Sequence, residues 1–459
     1  MTASIEESDA RLDRFLDHVT APLANATQRG VFAEYAIGLL SDAERKSMEP
    51  LAAQARPDAP GAAHKAFVYF TGTAQWDDRA VRRHAAAWAL WGMTATGPVR
   101  GTIVDDTGIL KQGSHSVGVQ RQYTGSAGKI TNCQIAVTLA TYNAHHAALV
   151  DVDLYLPEAW IADEARRDAV RIPSTAVFRT KGEIALDLLK AAHRDGVPLG
   201  EVLLADADYG RLWELRRWCR EVGLHYAVGV HETQRVWDAE GVWTAPMSAE
   251  TYASFLASDD FRRIEWRTGA NGQRLSARFA FLRVQVTAGK AEPVRGETPE
   301  EWLVIEWRDG EAQPSHFSLC DLPPSMSQRA VVATLKERWR IERVHEDLKG
   351  EVGFDHFEGR SWPGWHHHAT LALACHALLI GERCVAFPPR APGRRAAGAD
   401  RRAARATPAA LAAVDPPAVG ASGTRAFPEP VSALRESERT HQSGRRRGPR
   451  APGNMNLGQ

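Results

Sequence analysis

The sequence predicts an α/β protein. A helical N-terminal region leads into a mixed sheet of order βββαβαβ, and a second run of strands interrupts that sheet before closing helices. Three observations carry this. Through residues 1–92, apolar residues recur at helical spacing, as in "ARLDRFLDHVTAPLANA", "RGVFAEYAIGLL" and "WDDRAVRRHAAAWALW". From about residue 100 the period becomes that of strands: "RGTIVDDTGIL", "CQIAVTLATY" and "ALVDVDLYLPEAW". Between 230 and 325, "RRIEWRTGANGQRLSARFAFLRVQV" and "EWLVIEWRDGEAQPSHFSL" alternate apolar and polar residues around Gly-containing turns, which predicts an antiparallel β insertion.

The elements follow in order. Pro and Gly in "AQARPDAPGAAH" break the N-terminal helices, and "SDAERKSMEPL" reads as a helix start capped by Ser41 and Asp42. After the three strands, "TKGEIALDLLKAAHRDG" predicts a helix ended by Gly196. "EVLLADADYG" is a short apolar run followed by acids, the pattern of a buried parallel strand and its exit loop. "RLWELRRWCREVG" reads as a helix and "HYAVGV" as another buried strand, joined by right-handed crossovers. "SQRAVVATLKERWRIERVHEDLKGEVG" predicts one long helix, and "HATLALACHALLIGERC" an apolar one.

At 459 residues the chain is longer than one typical domain. The 44% apolar and 24% charged content is that of a globular protein. No apolar run approaches bilayer-spanning length and no basic-then-apolar leader opens the chain, which sets the expectation of a cytoplasmic protein without a membrane partner. Cys133, Cys219, Cys320, Cys375 and Cys384 are scattered without a CxxC pair, against a disulfide framework or structural zinc. Net charge is zero but uneven. Residues 387–459 hold 13 Arg and no Lys against 5 acids, and their Ala/Pro/Gly/Arg composition predicts disorder after about residue 386.

Three acidic positions fall at the ends of regular elements. Asp105 and Asp106 close the first strand, Asp206 and Asp208 follow the buried "EVLL" strand, and Glu342 lies in the late helix. Singly, each is an ordinary turn, cap or solvated residue. Together, two strand-end acids and a helix acid over one sheet edge would hold two divalent cations, and hard oxygen donors suit magnesium or manganese. Arg338, Glu342, His345 or Glu346, and Lys349 lie along one helix face, where cations would flank a ligating carboxylate and meet a phosphate backbone; a salt-bridged surface stripe has the same spacing.

"RWRIERVHEDLK" resembles the Tyr-x2-Arg-x3-Glu-x6-Lys signature of DDE transposases from bacterial insertion sequences, matched at Arg338, Glu342 and Lys349, with Leu335 in the Tyr position. "VDDTGILKQGSHSVGVQRQYTGSAGKITNCQ", "VLLADADYG" and "FDHFEGRSWPGWHHHATL" resemble the blocks of insertion-sequence family 701, over roughly residues 65–385. The resemblance implies a ribonuclease-H-like catalytic core with a mixed five-stranded sheet, split by the β-rich insertion. The implied organisation is a helical DNA-binding region at 1–92, core at 93–229 and 326–385, insertion at 230–325, and tail at 386–459. It assigns the acids to Asp106 (which precedes Thr107), Asp206 and Glu342, 100 and 136 residues apart, with Asp105 as fallback and Asp208 a neighbour.

The resemblance further implies binding of terminal inverted repeats and target DNA, two Mg2+ or Mn2+ ions, and cut-and-paste strand cleavage and transfer by a homodimer. A DNA-binding relic with a frameshifted C-terminus is the alternative, and an unrelated metal-dependent nuclease a third. Arg338, Lys349, His345, Arg121 and Lys129 are the expected DNA contacts, the last two on a hairpin with Gln122 and Tyr123. Arg79, Arg82, Arg83 and His84 form a basic patch in the N-terminal helices, competing with a solvated face. "WHHH" (Trp365 to His368) is expected to make core or phosphate contacts, since successive helical residues point in different directions.

Overall fold

The computed structural model describes residues 5–241, 243–269, 271–286 and 298–386. Five helices come first: α1 (Ile5–Thr20), α2 (Ala26–Leu40), α3 (Met48–Ala55), α4 (Pro60–Gly72) and α5 (Asp78–Thr94). Four strands follow, β1 (Gly101–Leu110), β2 (Gln120–Thr124), β3 (Lys129–Tyr142) and β4 (Ala147–Tyr155), then helices α6 (Glu158–Ala162), α7 (Glu164–Val170) and α8 (Lys181–Arg194). Next are β5 (Val202–Ala205), α9 (Ala207–Gly210), α10 (Trp213–Glu221) and β6 (His225–Val230). The insertion supplies β7 (Arg235–Asp238), β8 (Met247–Ser248), α11 (Ala249–Ser254), β9 (Arg262–Thr268), β10 (Arg274–Val286), β11 (Glu300–Trp307) and β12 (His316–Cys320). Helices α12 (Gln328–Lys336), α13 (Trp339–Gly350) and α14 (Trp362–Ala386) close the described chain.

The core sheet runs β4-β3-β1-β5-β6. The first three strands are antiparallel, and β5 and β6 are added in parallel through helical crossovers. This is the mixed five-stranded, ribonuclease-H-like arrangement expected from the sequence. The β-rich region does not stand apart as a second sheet: β12 pairs antiparallel with β6, and β11, β10, β7 and β8 extend the same sheet outward. An unpaired β6 edge would leave a row of backbone donors and acceptors open, and β12 closes it.

Side chains alternate across β1, and the two faces bury separate cores. Ile103 packs with Ile341, Leu371 and the N-terminal Phe15, Phe32 and Phe67 on one face, whereas Val104 packs with Ile184, Leu189 and Tyr209 on the other. The N-terminal helices thus share one core with α13 and α14.

Two local expectations differ. Ser41 ends α2, its hydroxyl donating to Gly38 O at 2.7 Å, and the next helix begins only at Met48. The single helix expected over 327–353 is two. Glu337 N bonds Thr334 O, Arg340 N bonds Glu337 O and Ile341 N bonds Arg338 O, all i to i+3 contacts that tighten the turn and separate α12 from α13. Nothing in the run of helix formers marks that break. The expected disordered tail, 386–459, lies almost wholly outside the described residues.

Candidate active site

Strand alternation separates the two adjacent aspartates. Asp105 follows Ile103 on the face covered by α13, and Asp106 follows Val104 on the face covered by α8 and α9. The parallel register pairs Ile103 with Leu204, and two residues further along each strand stand Asp105 and Asp206, on the same face. The remaining contacts agree with this division.

Asp105 is held from above and below. Arg338 Nη1 donates to its Oδ2 at 2.7 Å, and the Asp106 backbone N–H donates to its Oδ1 at 2.8 Å. Burial pushes its carboxyl up to about 7; Arg338 opposes the rise, and the charges of Asp206 and Asp106 add to it. The rise beside a guanidinium is first a cost of burial, to which the neighbouring carboxylates add. Asp206 is raised too, first by burial; its Oδ1 caps α9, accepting from Asp208 N at 3.0 Å and Tyr209 N at 3.2 Å.

Glu342 reaches the same guanidinium from α13, with its Oε1 3.7 Å from Arg338 Nη2, and its side chain is two-thirds exposed. Arg338 therefore stands between a strand acid and the helix acid, and its charge also opposes the burial-driven rise of Asp206. The donor chemistry, buried and partly buried carboxylate oxygens, fits a hard divalent cation. As the side chains stand, no three Asp, Glu, His or Cys among the described residues are close enough to share one ion.

The sequence profile of the DDE superfamily endonucleases matches residues 14–280. The chain belongs to this family. It is also similar to the probable transposase for insertion sequence element IS701 of Microchaete diplosiphon, 27% identical over 354 residues that span 76% of this chain and 83% of the relative. The resemblance read from the sequence blocks is borne out, and with it an endonuclease of the kind that works on DNA with divalent metal ions.

Other residues of the endonuclease were not foreseeable from motif spacing. Lys181 Nζ donates to Asp106 Oδ2 at 2.8 Å, and the Tyr209 hydroxyl donates to the same oxygen at 3.1 Å. Burial opposes the Lys181 charge, but Asp106 more than offsets it and raises the pKa. Lys181 follows Thr180, whose side chain and Glu183 form the capping box of α8; this box is the one local signal near it. Asp208 turns aside toward His231, 3.3 Å away.

His345 lies inward, unlike the phosphate contact expected of it. Thr138 Oγ1 donates to Asp105 O at 2.9 Å, so its one proton is used, and His345 Nε2, also 2.9 Å away, must donate to that hydroxyl. Burial, with Lys349 and Arg338 nearby, lowers the His345 pKa to about 3, so the ring is neutral. Lys349 Nζ donates to Gly108 O and Ser126 Oγ, each at 2.8 Å. Arg121 and Lys129 are exposed on the β2–β3 hairpin, as expected.

The N-terminal basic patch is consumed by ion pairs. Arg82 is buried; its Nε donates to Asp151 Oδ1 at 2.8 Å and its Nη1 to Thr370 Oγ1 at 3.0 Å, with Asp78 a further partner. Arg83 binds Asp151 and Asp195, Arg79 binds Asp195, and His84 Nδ1 meets His18 O. These are internal ties from α5 to β4, to the end of α8, to α14 and to α1, which corrects the patch reading. "WHHH" reads as core. His366 meets Asp153 at 3.1 Å, His367 meets Thr71 O at 2.7 Å and stacks on Trp76, and His368 meets Tyr35 at 3.1 Å. No described helix is long and apolar enough to cross a membrane.

Proposed function

We propose that this DDE endonuclease is the transposase of its insertion sequence. It would bind the element's terminal inverted repeats, cleave there in a metal-dependent step, and join the freed 3′ end to target DNA, a cut-and-paste reaction in a homodimeric complex. The observation that carries the reading is Arg338, which binds Asp105 and lies 3.7 Å from Glu342, while Asp206 stands level with Asp105 at the neighbouring strand. The sequence similarity to the probable IS701 transposase supports the same assignment.

For the strand acid we favour Asp105 over the Asp106 of the motif carry-over. Asp105 shares a face with Asp206 and α13, whereas Asp106 is occupied by Lys181 and Tyr209. Asp105, Asp206 and Glu342 would hold Mg2+ or Mn2+, two ions in this reading, which when bound polarise a water and stabilise the leaving oxygen. Arg338 draws Asp105 and Glu342 together before DNA arrives and carries a positive charge where scissile phosphates would lie. The neutral His345, through Thr138, fixes the backbone carbonyl of Asp105 and so the direction of its side chain. Asp206 keeps one carboxylate oxygen clear of the α9 cap.

The helices of 1–92 are proposed to read the repeats, and 230–325 to act as an insertion that widens the DNA-facing sheet. A strand-cleavage assay on DNA carrying the ends that flank its gene tests this, with Mg2+ or Mn2+. Nicking by wild type, lost in Glu342→Gln with binding retained, supports the proposal. A wild-type chain that binds those ends and never nicks them is the relic of the alternative reading.

A further inference from the structure

The β2–β3 hairpin is anchored to the acidic site. Its tip folds back over β1 at Gly108, where an added Cβ would sit 1.9 Å from Thr124 Oγ1, so only glycine leaves room for the buried Thr124. Lys349, on the helix that carries Glu342, bonds Gly108 O and Ser126 Oγ, and Ser126 Oγ lies 3.4 Å from Thr107 Oγ1. The tip is thereby tied to both the strand of Asp105 and the helix of Glu342.

One residue in from this tied tip, Tyr123 and Ile130 are opposite each other in the ladder, on one face, and are 63% and 59% exposed. Arg121 lies two residues along β2, on that same face. The surrounding chain is one-sided in charge: residues 107–150 hold three Lys/Arg and no Asp or Glu. An aromatic and a branched aliphatic side chain left in water beside Arg121, on a hairpin tied to the proposed phosphodiester site, match a nucleic-acid contact. Aromatic faces stack on any base, and apolar wedges enter between base steps.

We infer that Tyr123 and Ile130 form a wedge that stacks against unpaired bases at the DNA end, with Arg121, on the same face, on its phosphates. The inference rests on the function proposed above for the presence of a DNA end, and adds that the end is held frayed. A paired duplex hides its base faces, so such a wedge distinguishes frayed from paired ends.

The test uses the full chain without divalent metal and two DNAs of one sequence, taken from the ends flanking its gene. One is fully paired; the other is mismatched at its terminal base pairs. Wild type is expected to bind the mismatched end about 5- to 100-fold more tightly, the range of one base stacked on an aromatic ring. Tyr123→Ala and Ile130→Ser, both at exposed positions, are expected to bring the preference to within about twofold, and Tyr123→Phe to keep it. Arg121→Ala should weaken both complexes alike. Equal binding of the two DNAs by wild type, or an undiminished preference in Tyr123→Ala, overturns the wedge, as would capture of a protein partner at this face in place of DNA. A chain that prefers frayed ends but never nicks DNA refutes the catalytic function and leaves the wedge standing. Normal nicking with no preference does the reverse.

Discussion

Arg338 Nη1 donates to Asp105 Oδ2 at 2.7 Å, so an acid in the middle of the first core strand, which runs on to Leu110, is held by the guanidinium that caps the helix carrying Glu342. The pair is only partly shielded, with the Arg338 side chain one-third exposed. Arg338→Ala should cost about 1–3 kcal/mol, below the figure for a fully buried pair because water screens the guanidinium. It should also leave Asp105 and Asp206 with more uncompensated charge. Thermal unfolding with and without Mg2+ or Mn2+ checks this: the ions should raise Tm more in the variant than in wild type. Identical, metal-insensitive curves would mean that Arg338 does not stand in a cation-attracting site.

The close approach at Gly108 gives a steric prediction. Gly108→Ala forces Cβ against Thr124 and should destabilise the fold by about 1–3 kcal/mol, as overpacking does. Thr124→Gly in the same chain should restore part of the loss, giving a coupling between the two positions in urea unfolding. Additive losses would show that the hairpin tip does not sit on β1.

Arg82 separates an internal tie from a DNA contact. Arg82→Met leaves the buried Asp151 with Arg83 alone and should cost about 2–4 kcal/mol. The salt dependence of DNA binding should not change, since Arg82 touches no phosphate. A slope reduced by about one, with stability intact, would return the residue to the DNA surface.

Two buried histidines set an acid limit. Burial lowers both His368 and His376 to about 4 from an ordinary value near 6.5. Between those values the unfolded chain binds more protons than the folded one, so stability rises with pH through that window and is lost as pH falls through it. Neither ring nitrogen of His376 has a hydrogen-bond partner among the described residues. His376→Phe should therefore flatten the decline of the urea midpoint below about pH 6.5. A midpoint that falls as steeply in the variant as in wild type would exclude His376 as a source of the acid sensitivity.

Much of this was legible in the sequence, for identifiable reasons. Strands such as "RGTIVDDTGIL" and "EVLL" announce themselves by side-chain period, and the spacing of Arg338, Glu342 and Lys349 survives as one helix face. What stayed hidden depends on partners distant in sequence. The break at Glu337–Arg338 runs through good helix formers. The pairing of β12 with β6 depends on which edge is open, and Lys181 meets Asp106 from 75 positions away. The basic run at Arg79–His84 was misread because its acids, Asp151 and Asp195, lie far along the chain. Choosing between Asp105 and Asp106 needed the face each takes, which the following Thr107 does not report.

The central claim is that Asp105, Asp206 and Glu342 act together on DNA. It is tested most directly by strand cleavage of the element's own ends with Mg2+ or Mn2+, comparing wild type with Asp105→Asn, Asp106→Asn, Asp206→Asn and Glu342→Gln. Cleavage should fall by at least about a thousandfold in the Asp105, Asp206 and Glu342 variants with binding retained, and far less in Asp106→Asn. Full activity in Asp105→Asn with none in Asp106→Asn would contradict the assignment of the strand acid. Undiminished cleavage in Glu342→Gln or Asp206→Asn would contradict the account as a whole.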